Sequence, residues 1–440
     1  MQLALPYSET TSLTAPVIRR GQYRYFMLVA CLYFFFNSFL LPDGLLYTIL
    51  LSPLFLYWLM SKKVHVIRNS ILFGLFWLPM LAIHYSYGIS LREYLTSSAL
   101  YFTVFVFSMT VYYYFKHYSF TYEPLMETVL KINFLFVLIC VFLLAAHQRD
   151  IVWSVTDISE GVSDFPRLRM LTYEPSYYSL LLIPSFLFYF QYIFYRNMTG
   201  RKWGLLLTVI ISLGLSMSYG AIFIAILTLG LFVLYNLFSN VRRRQNKRFV
   251  FFLGATLVIG VVLILTLFAE SGFVLRIMNI ISGTDSSINN RSSQAYFLAL
   301  NIADQKSTIF GVGPGQLKLL GENLISLIYA FSDQPDSGQM ARIPSSMAET
   351  LATFGWIGFS GKLLAELILF RRTKVRTSSF RLCLFIFMFI YQFVGSFSTN
   401  IVEIFFWTLA FSRVFPDTYF KRQDISDQQM PPASWPKAHH

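Results

Sequence analysis

Long apolar runs alternate with short polar breaks from one end of this chain to the other. Runs of mostly apolar residues fall at about 25–41, 44–60, 69–88, 94–115, 130–147, 176–195, 203–218, 220–238, 249–269, 346–370, 380–398 and 400–415. A helix that crosses a bilayer needs roughly 20 such residues. The pattern therefore predicts about twelve transmembrane helices, with ten to thirteen as the range. Two boundaries depend on short polar interruptions: Met217–Gly220 inside the stretch 203–238, and Gly395–Asn400 inside 380–415.

Two of the intervening segments are longer than turns. One covers about 148–175 and the other 270–345, the latter too long for a simple connector. Within it, 291–304 and 316–331 carry helix-like apolar spacing, separated by the glycine turn IFGVGPGQ. The domain division expected is 1–269 with nine spans and the mid-chain loop, 270–345 as a large loop capping one face, 346–415 with three spans, and 416–440 as a tail.

Composition agrees with an apolar environment. Of 440 residues, 55% are hydrophobic and 13% charged, about half the charged share of an average soluble chain. The net charge of +13 is concentrated between the runs. With the N-terminus inside, 25 of the 35 Lys and Arg fall in inner segments, nine in outer ones, and Lys362 lies within a predicted span. That asymmetry predicts both termini on the cytoplasmic side and argues against nucleic acid as the partner. The N-terminus lacks a signal-peptide core, so its first apolar run reads as a retained helix. Cys31, Cys140 and Cys383 lie in apolar runs and read as small hydrophobes. The large loop lacks His and Cys, so no metal is expected.

The nine outer cations carry more information than the rest. Arg167 and Arg169 precede a predicted span, with Glu174 and Ser176 at its border. Arg291 opens a predicted loop helix, and Arg342 sits just before the run that contains Glu349. Each arginine has a plain alternative as an interface anchor or an ion-pair partner. Lys362 and Glu366 are spaced to pair at i,i+4, and Glu403 to pair within the bundle. Ser216, Ser218 and Tyr219 form a polar patch. Tyr173, Tyr177 and Tyr178 suit either a membrane-interface belt or packing against sugar faces. Arginines with nearby carboxylates suit an anionic, membrane-anchored substrate. Guanidinium forks hold phosphate or diphosphate, and a carboxylate takes the proton of an attacking hydroxyl. Glycosyl transfer from a lipid diphosphate needs these groups and no cofactor. A transporter is the rival from another class, but no internal repeat is evident.

The segments RLRMLTYEPSYYS (167–179), LSMSYGA (215–221), NNRSSQAYFLA (289–299), IFGVGPGQ (309–316) and PSSMAETLATFGWIGF (344–359) together resemble the Wzy-type polysaccharide polymerase and O-antigen ligase superfamily, over residues 150–370. The resemblance implies an all-α, GT-C-like glycosyltransferase of the bacterial inner membrane with its site facing the periplasm. It implies polymerisation of undecaprenyl-diphosphate-linked repeat units, as in lipopolysaccharide O-antigen, without metal. A flippase and a chain-length regulator of the same pathway are the implied partners. Arg291 and Arg167 or Arg169 would contact diphosphate together with Arg342. The late loop histidine of the ligase branch is missing, which leaves Glu349, then Glu174, as the general base. Tyr173, Tyr177, Tyr178, Ser218, Tyr219, Gly313 and Gly315 would line the substrate.

Overall fold

The computed structural model describes residues 20–35, 37–38, 41, 46–62, 64–118, 122–148, 151–155, 166–195, 199–239, 282, 291–329 and 342–413. The predicted span at 249–269, parts of the large loop and the tail at 416–440 lie outside these residues.

The first half contains α1 (Arg20–Phe35), α2 (Tyr47–Leu50), α3 (Ser52–Ser61), α4 (Val66–Ser86), α5 (Leu91–His117) and α6 (Tyr122–Ala145). A short antiparallel hairpin follows, β1 (Trp153–Val155) with β2 (Pro166–Leu168), in which Ser154 lies opposite Arg167. Then come α7 (Pro175–Tyr195), α8 (Gly200–Ser216) and α9 (Tyr219–Ser239). Beyond them lie α10 (Ser293–Asp304), α11 (Leu317–Tyr329), α12 (Ser346–Arg372), α13 (Ser379–Tyr391) and α14 (Ile401–Phe411).

The local reading of the apolar runs and the number of spans part company here. The runs at 69–88, 94–115, 130–147, 176–195, 203–218 and 220–238 all form helices. Among the described residues, however, only α4, α5, α6 and α12 are by length and composition apolar enough to cross a membrane, and α12 is interrupted at Gly355. The expectation of about twelve transmembrane helices in a GT-C-like bundle with a capping loop is corrected on that finding. The physical reason is visible in the breaks. The run 25–41 stops being helical at Phe35, and 44–60 divides into a 4-residue and a 10-residue helix around Leu51. The run 380–398 ends at Tyr391, and 400–415 supports 11 helical residues. An apolar run sets burial; it does not set helix length.

The localisation is corrected with it. Placing successive loops on alternate sides depends on the number of crossings, so the sidedness derived from twelve spans no longer follows. The reading of a multi-pass inner-membrane protein with both termini cytoplasmic and a periplasmic site falls on the same four helices.

Two apolar clusters organise the fold. The larger joins α1–α9 with α13 and α14 and is rich in aromatic pairs, such as Tyr122 edge-on to Phe188 at 5.0 Å and Phe387 stacked on Phe406 at 5.2 Å. The smaller gathers Leu298 and Ile302 of α10, Val312 of the glycine turn, Leu317 and Ile325 of α11, Ile343, and Leu351 of α12. Outward faces of α4 and α6 and the second part of α12 expose Phe76, Phe142 and Leu364 by 73%, 70% and 59%, an apolar surface far from what water favours.

The helix α12 is broken. At Gly355 the backbone takes φ 63°, ψ −163°, a conformation open essentially to glycine alone. The glycine turn that precedes α11 supplies the partners that the break frees. Val312 and Gly313 donate to the carbonyls of Ala352 and Thr353 at 3.0 and 2.9 Å. Trp356 and Ile357 donate to those of Thr308 and Ile309 at 3.0 and 3.1 Å. The approach is so close that a Cβ at Gly355 would run into the Ile309 carbonyl, and one at Gly311 into that of Thr353. The direction of the chain reverses at this point. Lys362 Nζ donates to Ser346 Oγ at 2.8 Å, across 16 residues that in a straight helix would separate them by about 24 Å. Gly355 thus divides α12 into two arms.

Candidate functional site

The glycine turn is anchored from its other side by the α4–α5 connection. His84, fully buried, donates from Nε2 to the Phe310 carbonyl at 2.8 Å, which leaves Nδ1 to accept from the Tyr94 hydroxyl at 3.3 Å. Gln316 clamps Ser90 through both its amide atoms, at 2.9 and 3.0 Å, and Lys306 Nζ reaches the Tyr87 carbonyl at 2.9 Å. Gly313 packs beside the His84 ring, and Gly315 against the Glu93 backbone. The two glycines thus hold the turn between α4, α5 and the α12 break. Their place is a structural junction, with His84, Glu93 and Ser97 as their neighbours.

That cluster forms where the first arm of α12 meets the irregular segment 392–400. Ser345 caps the arm, accepting from Ala348 N at 3.3 Å. One turn later, Glu349 Oε2 accepts from the Ser398 amide at 2.7 Å. The Ser398 hydroxyl meets the Tyr101 hydroxyl at 2.7 Å, so α5 contributes to the same wall. Arg342 lays its guanidinium over the Phe397 ring, 4.3 Å from the centroid. Among the described residues no carboxylate lies within ion-pair distance of it. Its charge nevertheless acts on Glu349, Tyr101, Tyr173 and Tyr177, which places it centrally.

The start of α7 forms the opposite wall. Ser176 donates to Glu174 Oε1 at 2.6 Å, and the rings of Tyr173 and Tyr177 lie 4.8 Å apart. Glu174 and Arg291 both act electrostatically on Tyr391, at the end of α13. Arg342, Glu349, Glu174, Tyr173, Tyr177 and, more remotely, Arg291 are therefore brought to one region from sequence positions more than 170 residues apart.

Other residues singled out from sequence go elsewhere. Arg167 Nε reaches the Ser216 carbonyl at 3.4 Å, tying the hairpin to the end of α8. Arg169 donates its amide to Val152 O at 3.0 Å and reaches Ile151 O with its side chain at 3.4 Å. Tyr178 donates to Asn133 Oδ1 at 2.6 Å, and Asn133 to Ser212 Oγ at 2.9 Å, a buried chain linking α7, α6 and α8. Ser218 and Tyr219 lie at the α8–α9 turn, where Met217 takes the left-handed conformation with φ 48°. A groove of 550 Å³ at the α3–α4 turn, lined by Met60, His65, Arg68 and Ile71 among others, shares no residue with the charged cluster. Sequence reasoning missed the roles of His84, Gln316 and Ser398. The nearest signal was that Gln316 closes the glycine turn.

A second polar group lies beside the first. Glu403 of α14 is 1% exposed, and its Oε1 accepts from Lys362 Nζ at 2.8 Å and Ser346 Oγ at 3.0 Å. Glu366 instead receives Gln392 Nε2 at 2.9 Å. The i,i+4 pairing of Lys362 with Glu366 expected from spacing is replaced by a contact across the fold, because the break carries Lys362 back toward Ser346 and α14. Among the described residues no group of three or more His, Cys, Asp or Glu side chains is placed to hold a metal ion.

No family model matches this chain, and no curated protein matches it. The resemblance to the Wzy-type polymerase and O-antigen ligase superfamily is corrected: the described helices do not form the roughly twelve-span architecture that membership implies. Polymerisation of lipid-linked repeat units at a periplasmic face, and the O-antigen and lipopolysaccharide roles tied to it, rested on that architecture and are withdrawn with it.

Proposed function

We propose that the chain is a glycosyltransferase that draws on a lipid-anchored phosphate or diphosphate donor at the Arg342–Glu349 cluster. The observation that carries this reading is Arg342: its guanidinium is stacked on Phe397 and unpaired among the described carboxylates, so its donors remain available to an anion. Glu349 is oriented by the Ser398 amide through Oε2, and its carboxylate is the group that would take the proton. In the step envisaged, an acceptor hydroxyl attacks the anomeric carbon while the bond from that carbon to the phosphate oxygen breaks. The electron pair leaves with the phosphate, whose charge Arg342 stabilises, and the hydroxyl proton passes to Glu349. Tyr173, 37% exposed and set against Tyr177, would offer a ring to a sugar face. The exposed apolar faces of α4, α6 and the second arm of α12 favour a substrate delivered from a lipid phase.

The test uses the full chain in nanodiscs with prenyl-diphosphate-linked sugars and a panel of hydroxyl acceptors, following release of the free prenyl diphosphate. Release is expected with the parent protein. Glu349→Gln should retain donor binding and lose release. Arg342→Gln should weaken donor binding about 10–100-fold, the equivalent of one charge-assisted hydrogen bond at about 1.5–3 kcal/mol. Donor binding unaffected by Arg342→Gln would remove that arginine from the site.

A further inference from the structure

The group formed by Lys362, Glu366, Gln392 and Glu403 is not used by the transfer chemistry, and its polar atoms do not balance. Glu366, Gln392 and Glu403 are 5%, 0% and 1% exposed. Glu403 Oε1 takes all the donors that reach that carboxylate: Lys362 Nζ, Ser346 Oγ and, at 3.4 Å, Trp407 Nε1. Among the described residues its Oε2 has no partner. Glu366 Oε2 accepts from Gln392 Nε2, while Glu366 Oε1 and Gln392 Oε1 have none. The charges of Glu403 and Lys362 both act on Glu366, and Lys362 bonds to Glu403. Three buried oxygens, two from carboxylates and one from an amide, are thus left without donors among the described residues. No nitrogen of Lys362 or Gln392 is left without an acceptor.

Charge points the same way. Two carboxylates face one ammonium, a deficit of one positive charge in a place where an uncompensated carboxylate costs several kcal/mol. The neighbouring charges, Glu349 with Arg342 and Glu174 with Arg291, are one of each sign and add no net charge. A divalent ion would overshoot the deficit by one. A proton on Glu366 would restore neutrality but supply a single donor to three orphaned oxygens. A small cation meets several oxygens at once, and carboxylate and amide oxygens are the ligands that hard cations select. The backbone from Gln392 to Asn400 is irregular, the kind of unwound segment between helices at which cations are held in apolar surroundings. We propose that Glu366, Gln392 and Glu403 form a binding site for one sodium-type monovalent cation, lodged between the second arm of α12, the end of α13 and α14.

The site is tested with the full chain in detergent, independently of any transferase activity. Equilibrium dialysis against ²²Na⁺ should find one ion per chain, displaced by unlabelled NaCl and not by choline chloride. The thermal midpoint should rise saturably with NaCl and remain flat in choline chloride of equal ionic strength, as mass action requires of a ligand bound by the folded state. Glu366→Gln removes the compensating charge while keeping the side-chain shape, and should abolish both effects. If that variant does not fold, ²²Na⁺ retention by the parent protein decides alone. No retained sodium, or equal stabilisation by choline, overturns the proposal. So does a parent protein that acid stabilises in choline as strongly as NaCl does at neutral pH, since the missing charge would then be a proton.

Discussion

Two sets of charges in this protein use the same residue types at different depths of burial. At the start of α6, Glu127 pairs with Lys131 at 2.7 Å and with Arg201 of α8, while Glu123 meets Lys202 at 2.9 Å and the Tyr192 hydroxyl at 2.5 Å. Lys131 and Arg201 keep 55% and 65% of their side chains exposed, whereas Lys202 and Glu123 are half-buried. Between α12 and α14, Lys362 meets a Glu403 that is 1% exposed, with a second buried carboxylate close by. Exposed pairs are screened, and ordering their long side chains offsets most of the attraction, so each contributes about 0–1 kcal/mol. A buried pair is decided by desolvation, and removing one partner strands the other charge. The first set fastens helix ends; the second makes the path of the chain depend on charge.

That contrast can be broken from either side. The largest effect is expected from Lys362→Met, which leaves Glu403 buried beside Glu366 without its cation: a loss of about 3–5 kcal/mol in reversible unfolding. The double variant Lys362→Met/Glu403→Leu, which removes both charges, should recover a large part of it. Gly355→Ala comes next, at about 2–5 kcal/mol, from a forbidden backbone conformation and a Cβ forced onto the Ile309 carbonyl. Its loss should be accompanied by faster hydrogen exchange at Val312 and Gly313, whose amides bond across the break. Gln316→Leu removes the two-point clamp on Ser90 and should cost about 1–3 kcal/mol. Glu127→Gln marks the small end, below about 1 kcal/mol and shrinking further as salt is raised.

How far the sequence could be read depends on whether a feature is local. The helices over 66–86, 91–117 and 219–239 follow their apolar runs to within a few residues at most ends, apart from α6, which starts eight residues ahead of its run. The turn at Met217 falls on the short polar break that marked it. Ser345, at the start of the run that contains Glu349, caps α12. Arg342, Glu349, Glu174 and Tyr173 drew notice as polar residues at apolar borders, and all four lie in one region. What spacing could not reveal is the reversal at Gly355. Read as a rod, α12 is an apolar helix with Lys362 and Glu366 paired along one face. The reversal depends on backbone partners some 40 residues earlier, at Thr308–Gly313, and nothing in the run 346–370 records them. The same non-local dependence explains the excess of predicted spans. Runs such as 380–398 are apolar because they are buried by neighbours, as Phe387 and Met388 are, and burial by protein and burial by lipid look alike in composition.

The folded-back α12 is the element on which the buried ion pair, the cation site and the placing of Glu349 all depend. A double-mutant cycle between Ser346→Ala and Lys362→Met, followed by reversible unfolding, tests it most directly. Two side chains in hydrogen-bond contact should show a coupling energy of about 0.5–3 kcal/mol. Residues about 24 Å apart on a straight helix would give additive losses, and additivity would contradict the break at Gly355.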